Sequence, residues 1–61
     1  MSELIIGKTY SMTDSRNGNE YIYEIQDKNF KYYKVKGRYN CFYMIDISLY
    51  SNIKEIQKEI K

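Results

Sequence analysis

The chain has no histidine, no proline and no tryptophan, one cysteine and three glycines in 61 residues. Without histidine there is no imidazole general base, no histidine-based triad and no zinc site with histidine ligands. A single thiol, Cys41, excludes an intramolecular disulfide framework. A secreted chain this short usually needs one, so a reducing, cytoplasmic setting is expected. No charged-then-apolar leader and no long apolar run is seen, so neither a signal peptide nor a membrane span is expected. Strong charge of one sign is missing too. Ten bases against eight acids leave a net charge of +2. That excludes a strongly acidic mimic of DNA and is too weak to argue nucleic-acid binding by itself.

Repeats, linkers and low-complexity stretches are also absent, so residues 1–61 read as a single domain. A domain of this size buries little apolar surface, and homo-oligomers are a common remedy. What the chain does have is rings and an uneven charge distribution. It carries eight tyrosines and two phenylalanines. Residues 14–27 hold four acids and one base, whereas residues 28–38 hold five bases and no acid.

The strongest local signal is Asn17-Gly18, the favoured pair for a two-residue hairpin turn in which both residues take positive φ. That turn would set Met12 opposite Tyr23 and Tyr10 opposite Ile25. Asp27-Lys28-Asn29 and Arg38-Tyr39-Asn40 read as three-residue loops ending in asparagine, which tolerates the left-handed conformation. They would pair Tyr23 with Tyr33, Tyr21 with Val35, Val35 with Tyr43 and Tyr33 with Ile45. One face then collects Tyr10, Met12, Tyr21, Tyr23, Ile25, Tyr33, Val35, Tyr43 and Ile45, extended by Leu4 and Ile6, with Cys41 beside them. After Asp46 the period changes. Leu49, Ile53, Ile56 and Ile60 are spaced as one stripe of an amphipathic helix, with Ser48 or Ser51 as its cap. The expected fold is therefore α+β: a four-stranded antiparallel β-meander followed by one C-terminal helix, ββββα.

The opposite face carries Ile22, Tyr32, Lys34, Lys36, Phe42 and Met44, with Glu20 across from Lys36. One helix cannot cover both faces, and an exposed apolar patch tends to mark binding or assembly. Three uses compete for it: a homo-oligomer interface, a platform for single-stranded nucleic acid, or a protein-binding surface. In the second, Tyr32 and Phe42 stack on bases. Lys28, Lys31, Lys34, Lys36 and Arg38 contact phosphate, supported by Arg16. Asp14 is the catalytic candidate, as a metal-binding carboxylate beside a phosphate-clamping arginine. Mg²⁺ is the cofactor this chemistry would use, with an oligomer bringing two carboxylates together. Its plainer reading is a polar residue flanking a turn. Asp46 reads as a partner of Lys34 or Lys36.

Two stretches carry a resemblance. Ile6-Gly7-Lys8 opens the first strand, and Tyr43-Met44-Ile45-Asp46-Ile47-Ser48-Leu49-Tyr50 has a hydrophobic–Ile-Asp-Ile–x–x–Tyr pattern. With the order ββββα, the chain resembles the ssDNA-binding domain of the transcriptional positive-cofactor-four family, although that pattern sits on the second strand there. The chain is also similar to small phage anti-CRISPR proteins of this fold type that act on DNA. The resemblance implies a dimer or tetramer paired through C-terminal helices, DNA as partner (single-stranded or supercoiled), and strand nicking that relaxes supercoiled DNA. The alternative is an inhibitor that covers a host or defence enzyme with the exposed sheet face.

Overall fold

The structure is a computed structural model and describes residues 4–56. Five antiparallel strands form one sheet: β1 Thr9–Asp14, β2 Glu20–Asn29, β3 Tyr32–Lys36, β4 Phe42–Asp46 and β5 Tyr50–Ile56. Their order in space is β4-β3-β2-β1-β5. The expected C-terminal helix is overturned. Its segment forms a 3-10 turn, Ile47–Leu49, and then β5, which pairs with β1. Ile60 lies outside the described residues. The fold is thus five strands with no α-helix among the described residues, in place of four strands and a helix.

The misleading helical spacing has a local cause. Asn52 takes the left-handed conformation, with φ 53°, and the β1–β5 register shifts between Ser11 and Thr13. This bulge inserts an extra residue. Tyr50, opposite Asp14, and Ile53, three residues on, therefore both pack on the core side. A bulged strand reproduced the three-residue spacing of a helix face.

The first hairpin turns earlier than Asn17-Gly18 suggests. The Asp14 carboxylate accepts the Arg16 N–H at 2.8 Å, and the Asp14 carbonyl accepts the Gly18 N–H at 2.7 Å. This side-chain turn starts the reversal at Asp14. Only Gly18, with φ 77°, supplies positive φ, and the connection spans residues 15–19. Tyr10 therefore pairs with Tyr23 and Met12 with Tyr21, two residues off the expected register. A two-residue shift keeps every side chain on its expected face, because the strand period is two.

The second hairpin departs further. β2 runs through Asp27-Lys28-Asn29 and turns at Phe30-Lys31, with Phe30 at φ 63°. An irregularity at Gln26 sets Ile25 opposite Val35, and Lys28 opposite Tyr33. Glu24, not Glu20, faces Lys36. The third hairpin agrees with expectation: Val35 meets Tyr43, Tyr33 meets Ile45, and Asn40 is left-handed at φ 58°.

β4 and β5 are the two edges of the sheet, yet only the three residues of the 3-10 turn separate them. Asp46 steadies that turn by accepting the Ser48 N–H at 3.1 Å and hydroxyl at 2.8 Å. So short a link between opposite edges requires a curled sheet. The rings record the curl: Tyr23 on the central strand lies 6.1 Å from Tyr43 of β4 and 6.2 Å from Tyr50 of β5. The result is a small, strongly curled five-stranded sheet. Its core is Tyr10, Met12, Tyr23, Ile25, Tyr33, Val35 and Ile45, with Leu4, Tyr21, Ile47, Tyr50 and Ile53 packed around it. Ile6, Cys41 and Tyr43 do not join: all three are exposed, Cys41 at the β3–β4 turn.

Candidate nucleic-acid interface

Strand alternation places part of the basic and aromatic set on the outer surface of β3 and β4. Tyr32, Lys34 and Lys36 share that face with Phe42 and Met44 through the pairs Lys34–Met44 and Lys36–Phe42. Phe42, Met44 and Ile22 of β2 are each more than half exposed. Lysine and ring are coupled directly. The Lys34 ammonium lies 5.3 Å from the centre of the Phe42 ring, and that of Lys31 lies 5.4 Å from the centre of Tyr32. Each ring therefore has a cation over one face, so a base that stacks there has to displace the lysine from the ring.

The remaining basic residues are dispersed. Lys31 sits in the β2–β3 turn and pairs with Asp46 at 3.7 Å, a partner expected for Lys34 or Lys36. Lys36 pairs with Glu24 at 3.6 Å. Lys28 faces the other way, because the irregularity at Gln26 changes its side of the sheet, and its ammonium lies 5.6 Å from the Tyr33 ring. Arg38 is in the β3–β4 turn and Arg16 in the β1–β2 loop. The structure thus brings together Tyr32, Lys34, Lys36 and Phe42, sets Lys31 and Arg38 near the ends of the hairpin, and separates Lys28 and Arg16.

Asp14 has a defined task. Arg16 donates to it through Nε at 3.0 Å and Nη2 at 2.8 Å, besides the backbone N–H. The Asp14 side chain is only 5% exposed, while that of Arg16 is 61% exposed. Hydrogen bonds from the Arg16 side chain, then from its backbone, hold the Asp14 carboxyl below its ordinary value. Both carboxylate oxygens are engaged by a guanidinium, the arrangement of a structural clamp. No group of three or more acidic or thiol side chains suited to a metal ion occurs among the described residues.

Arg16 opens onto a cleft of about 1110 Å³ that the sequence did not suggest. β3 pairs with β2 only from Glu24 onward, so the start of β2 and the tip of the β3–β4 hairpin stand apart. The space between them is lined by Arg16, Tyr21, Tyr23, Tyr43 and Tyr50, and by Arg38 and Tyr39 from the turn. Tyr21 and Tyr23 stack with centroids 5.7 Å apart and planes 8° apart, and Tyr50 meets both edge-on. Burial, then a hydrogen bond with Tyr50, pushes the Tyr23 phenol far above its ordinary value. Tyr43 is raised too, first by the adjacent Cys41 sulfur and then by burial. Both hydroxyls already have a hydrogen-bond partner, Tyr50 for Tyr23 and Cys41 for Tyr43. Eight tyrosines in the chain concealed this cluster, since only the curl of the sheet selects which of them converge.

No helix among the described residues is long and apolar enough to cross a membrane. No protein-family model, no curated protein and no solved structure matches the chain.

Proposed function

We propose that the protein is a small nucleic-acid-binding module that holds single-stranded DNA on the outer face of β3 and β4. The observation that carries this reading is the pairing of exposed rings with lysines, Lys34 with Phe42 and Lys31 with Tyr32, on one short antiparallel hairpin. Bases stack on such rings without regard to sequence, and the neighbouring ammonium groups reach the phosphates between them. The reading is one of binding rather than strand cleavage, because Asp14 is committed to Arg16 through both oxygens.

A second reading has its own support. Among the described residues β4 is an edge strand, with no strand beside one side of its backbone, and it carries exposed Phe42 and Met44. Such an edge suits the addition of a strand from a second copy or from a protein partner.

Titration of labelled oligothymidylate at 50 and 200 mM salt separates the two. Stacking with phosphate contact predicts affinity that falls at least tenfold over that range. It also predicts a loss of about 1–3 kcal/mol for Phe42→Ala or Tyr32→Ala. An absence of binding at the lower salt sinks the nucleic-acid reading. A concentration-dependent increase in mass that is insensitive to salt and lost in Phe42→Ala would favour edge pairing instead.

A further inference from the structure

We propose that the open edge of β4 is a dimer interface, at which two copies of the chain pair their β4 strands antiparallel about Met44. This rests on the edge-pairing reading above and names the partner as a second copy. The two edges of the sheet differ, among the described residues. β5 is blunted: a register shift against β1, left-handed Asn52 and the charges of Lys54 and Glu55 all discourage a further strand. β4 carries none of these devices. Its residues pair with β3 in unbroken register, and none has positive φ. Phe42, Tyr43, Met44 and Ile45 are uncharged, and the first three are exposed.

The hydrogen-bond pattern selects the register. The Gly37 N–H donates to the Cys41 carbonyl at 2.7 Å, so Gly37–Cys41 is a hydrogen-bonded position of the β3–β4 ladder. Alternation then turns the backbone groups of Tyr43 and Ile45 toward β3, and the N–H groups of Phe42, Met44 and Asp46 outward. In a pair centred on Met44, Met44 faces the partner's Met44 and Phe42 faces the partner's Asp46, so outward residues meet outward residues throughout. Centring on Tyr43 leaves Asp46 without a strand residue opposite, and centring on Ile45 does the same to Phe42. The side chains suit this register too. On the outer face the two Met44 side chains meet, with Lys34 of each copy on the far side of its own Met44. Asp46 is the one acid of β4, and it would arrive beside Phe42, over which the Lys34 ammonium leans at 5.3 Å from the ring centre. On the inner face Tyr43 would lie beside the partner's Ile45, which covers a ring now 47% exposed. The match of β4 to its own reverse, in backbone and in charge, is what points to a second copy. So short an edge buries less than a standard interface of roughly 1,200 Å² or more, so the dimer is expected to be weak and to exchange with monomer.

Sedimentation of the intact chain up to millimolar concentration, with cross-linking, tests this. Met44→Pro removes an outward N–H and leaves the β3 ladder intact, so it should fold and stay monomeric. Met44→Lys sets two like charges opposite each other and repeats the test without a backbone change. Register is read in a Cys41→Ser background, which removes the exposed native thiol. Opposed residues at a hydrogen-bonded antiparallel position have Cα atoms about 5.5 Å apart, within reach of a disulfide. Met44→Cys should therefore form a covalent dimer on mild oxidation at least tenfold faster than Phe42→Cys, whose two thiols would sit four residues apart along the pair. A concentration-dependent dimer, lost in Met44→Pro or Met44→Lys and cross-linked through position 44, supports the proposal. A dimer lost in those variants but cross-linked faster through position 42 overturns the register and leaves edge pairing standing. A parent that stays monomeric overturns the proposal and leaves the edge reading only a foreign strand. A dimer that survives both Met44 variants overturns the proposal and self-pairing at this edge together. Open-ended assembly in place of a dimer also overturns it, since that requires β4 to join a different strand of the next copy.

Discussion

Arg16 embraces the carboxylate of Asp14 from two positions along the chain, with Nη2 2.8 Å from Oδ2, and leaves the buried acid and the exposed base as one rigid unit. The folded-state value of Asp14 lies below its ordinary 3.8, so protons favour the unfolded chain. The contribution of the pair is fully present above pH 3.8 and is lost as pH falls through the lower, folded value. Arg16→Gln should therefore lower the urea midpoint at pH 7. As pH is lowered below 3.8 the midpoints of variant and parent should draw together. A gap that keeps its size across that range would show that Arg16 acts through packing alone. Asp46 is depressed in the same direction, first by the hydrogen bonds from Ser48, so some acid sensitivity should persist in the variant.

Asn52 tests the corrected C-terminal element. It sits left-handed at φ 53° inside β5. A β-branched residue there meets steric strain of about 1–2 kcal/mol, whereas glycine takes the conformation freely. Asn52→Val should destabilise by about that amount and Asn52→Gly should be close to neutral, as read from urea midpoints. A helix would reverse the order, because glycine weakens a helix interior more than valine does. The ranking of two variants thus decides between the two structures.

Gly37 and Gly18 are needed for different reasons, and a paired experiment distinguishes them. Gly37 has an ordinary backbone, but a Cβ there would lie 2.9 Å from the Tyr43 ring and 3.3 Å from Tyr23. Gly18 has open space around it and φ 77°. Each change to alanine should destabilise by about 1 kcal/mol, from crowding at Gly37 and from backbone strain at Gly18. In a Tyr43→Ala background the effect at Gly37 should shrink by at least half, while that at Gly18 should not change. An unchanged effect at Gly37 would mean that Tyr43 swings aside without resistance.

Alternation was the most legible feature of this chain. It assigned Tyr10, Met12, Tyr23, Ile25, Tyr33, Val35 and Ile45 to one face, and these residues form the core. That assignment survived even where the register was wrong, since the first hairpin shifted by two residues and kept its parity. Arg38-Tyr39-Asn40 was readable because a left-handed asparagine closes the loop. Phe30-Lys31 was not, because nothing in those residue types announces a turn. The β3–β4 part of the candidate interface was legible for the same reason as the core: Tyr32, Lys34 and Lys36 recur at every second position.

The sequence by itself determined the inward residues of β1, of β2 up to Ile25, and of β3, because side-chain direction in a regular strand follows local parity; the bulges at Gln26 and in β5 broke that parity. The tertiary structure alone decided where the last segment goes and which tyrosines meet. β1 would otherwise be an edge with unpaired backbone groups, and Tyr50–Ile56 pairs with it at the expense of a helix whose apolar spacing it imitates. That pairing brings both edges of the sheet round to Tyr23 and opens the cleft beside Arg16. Both outcomes rest on contacts between residues twenty or more positions apart, which no local pattern of residue types encodes.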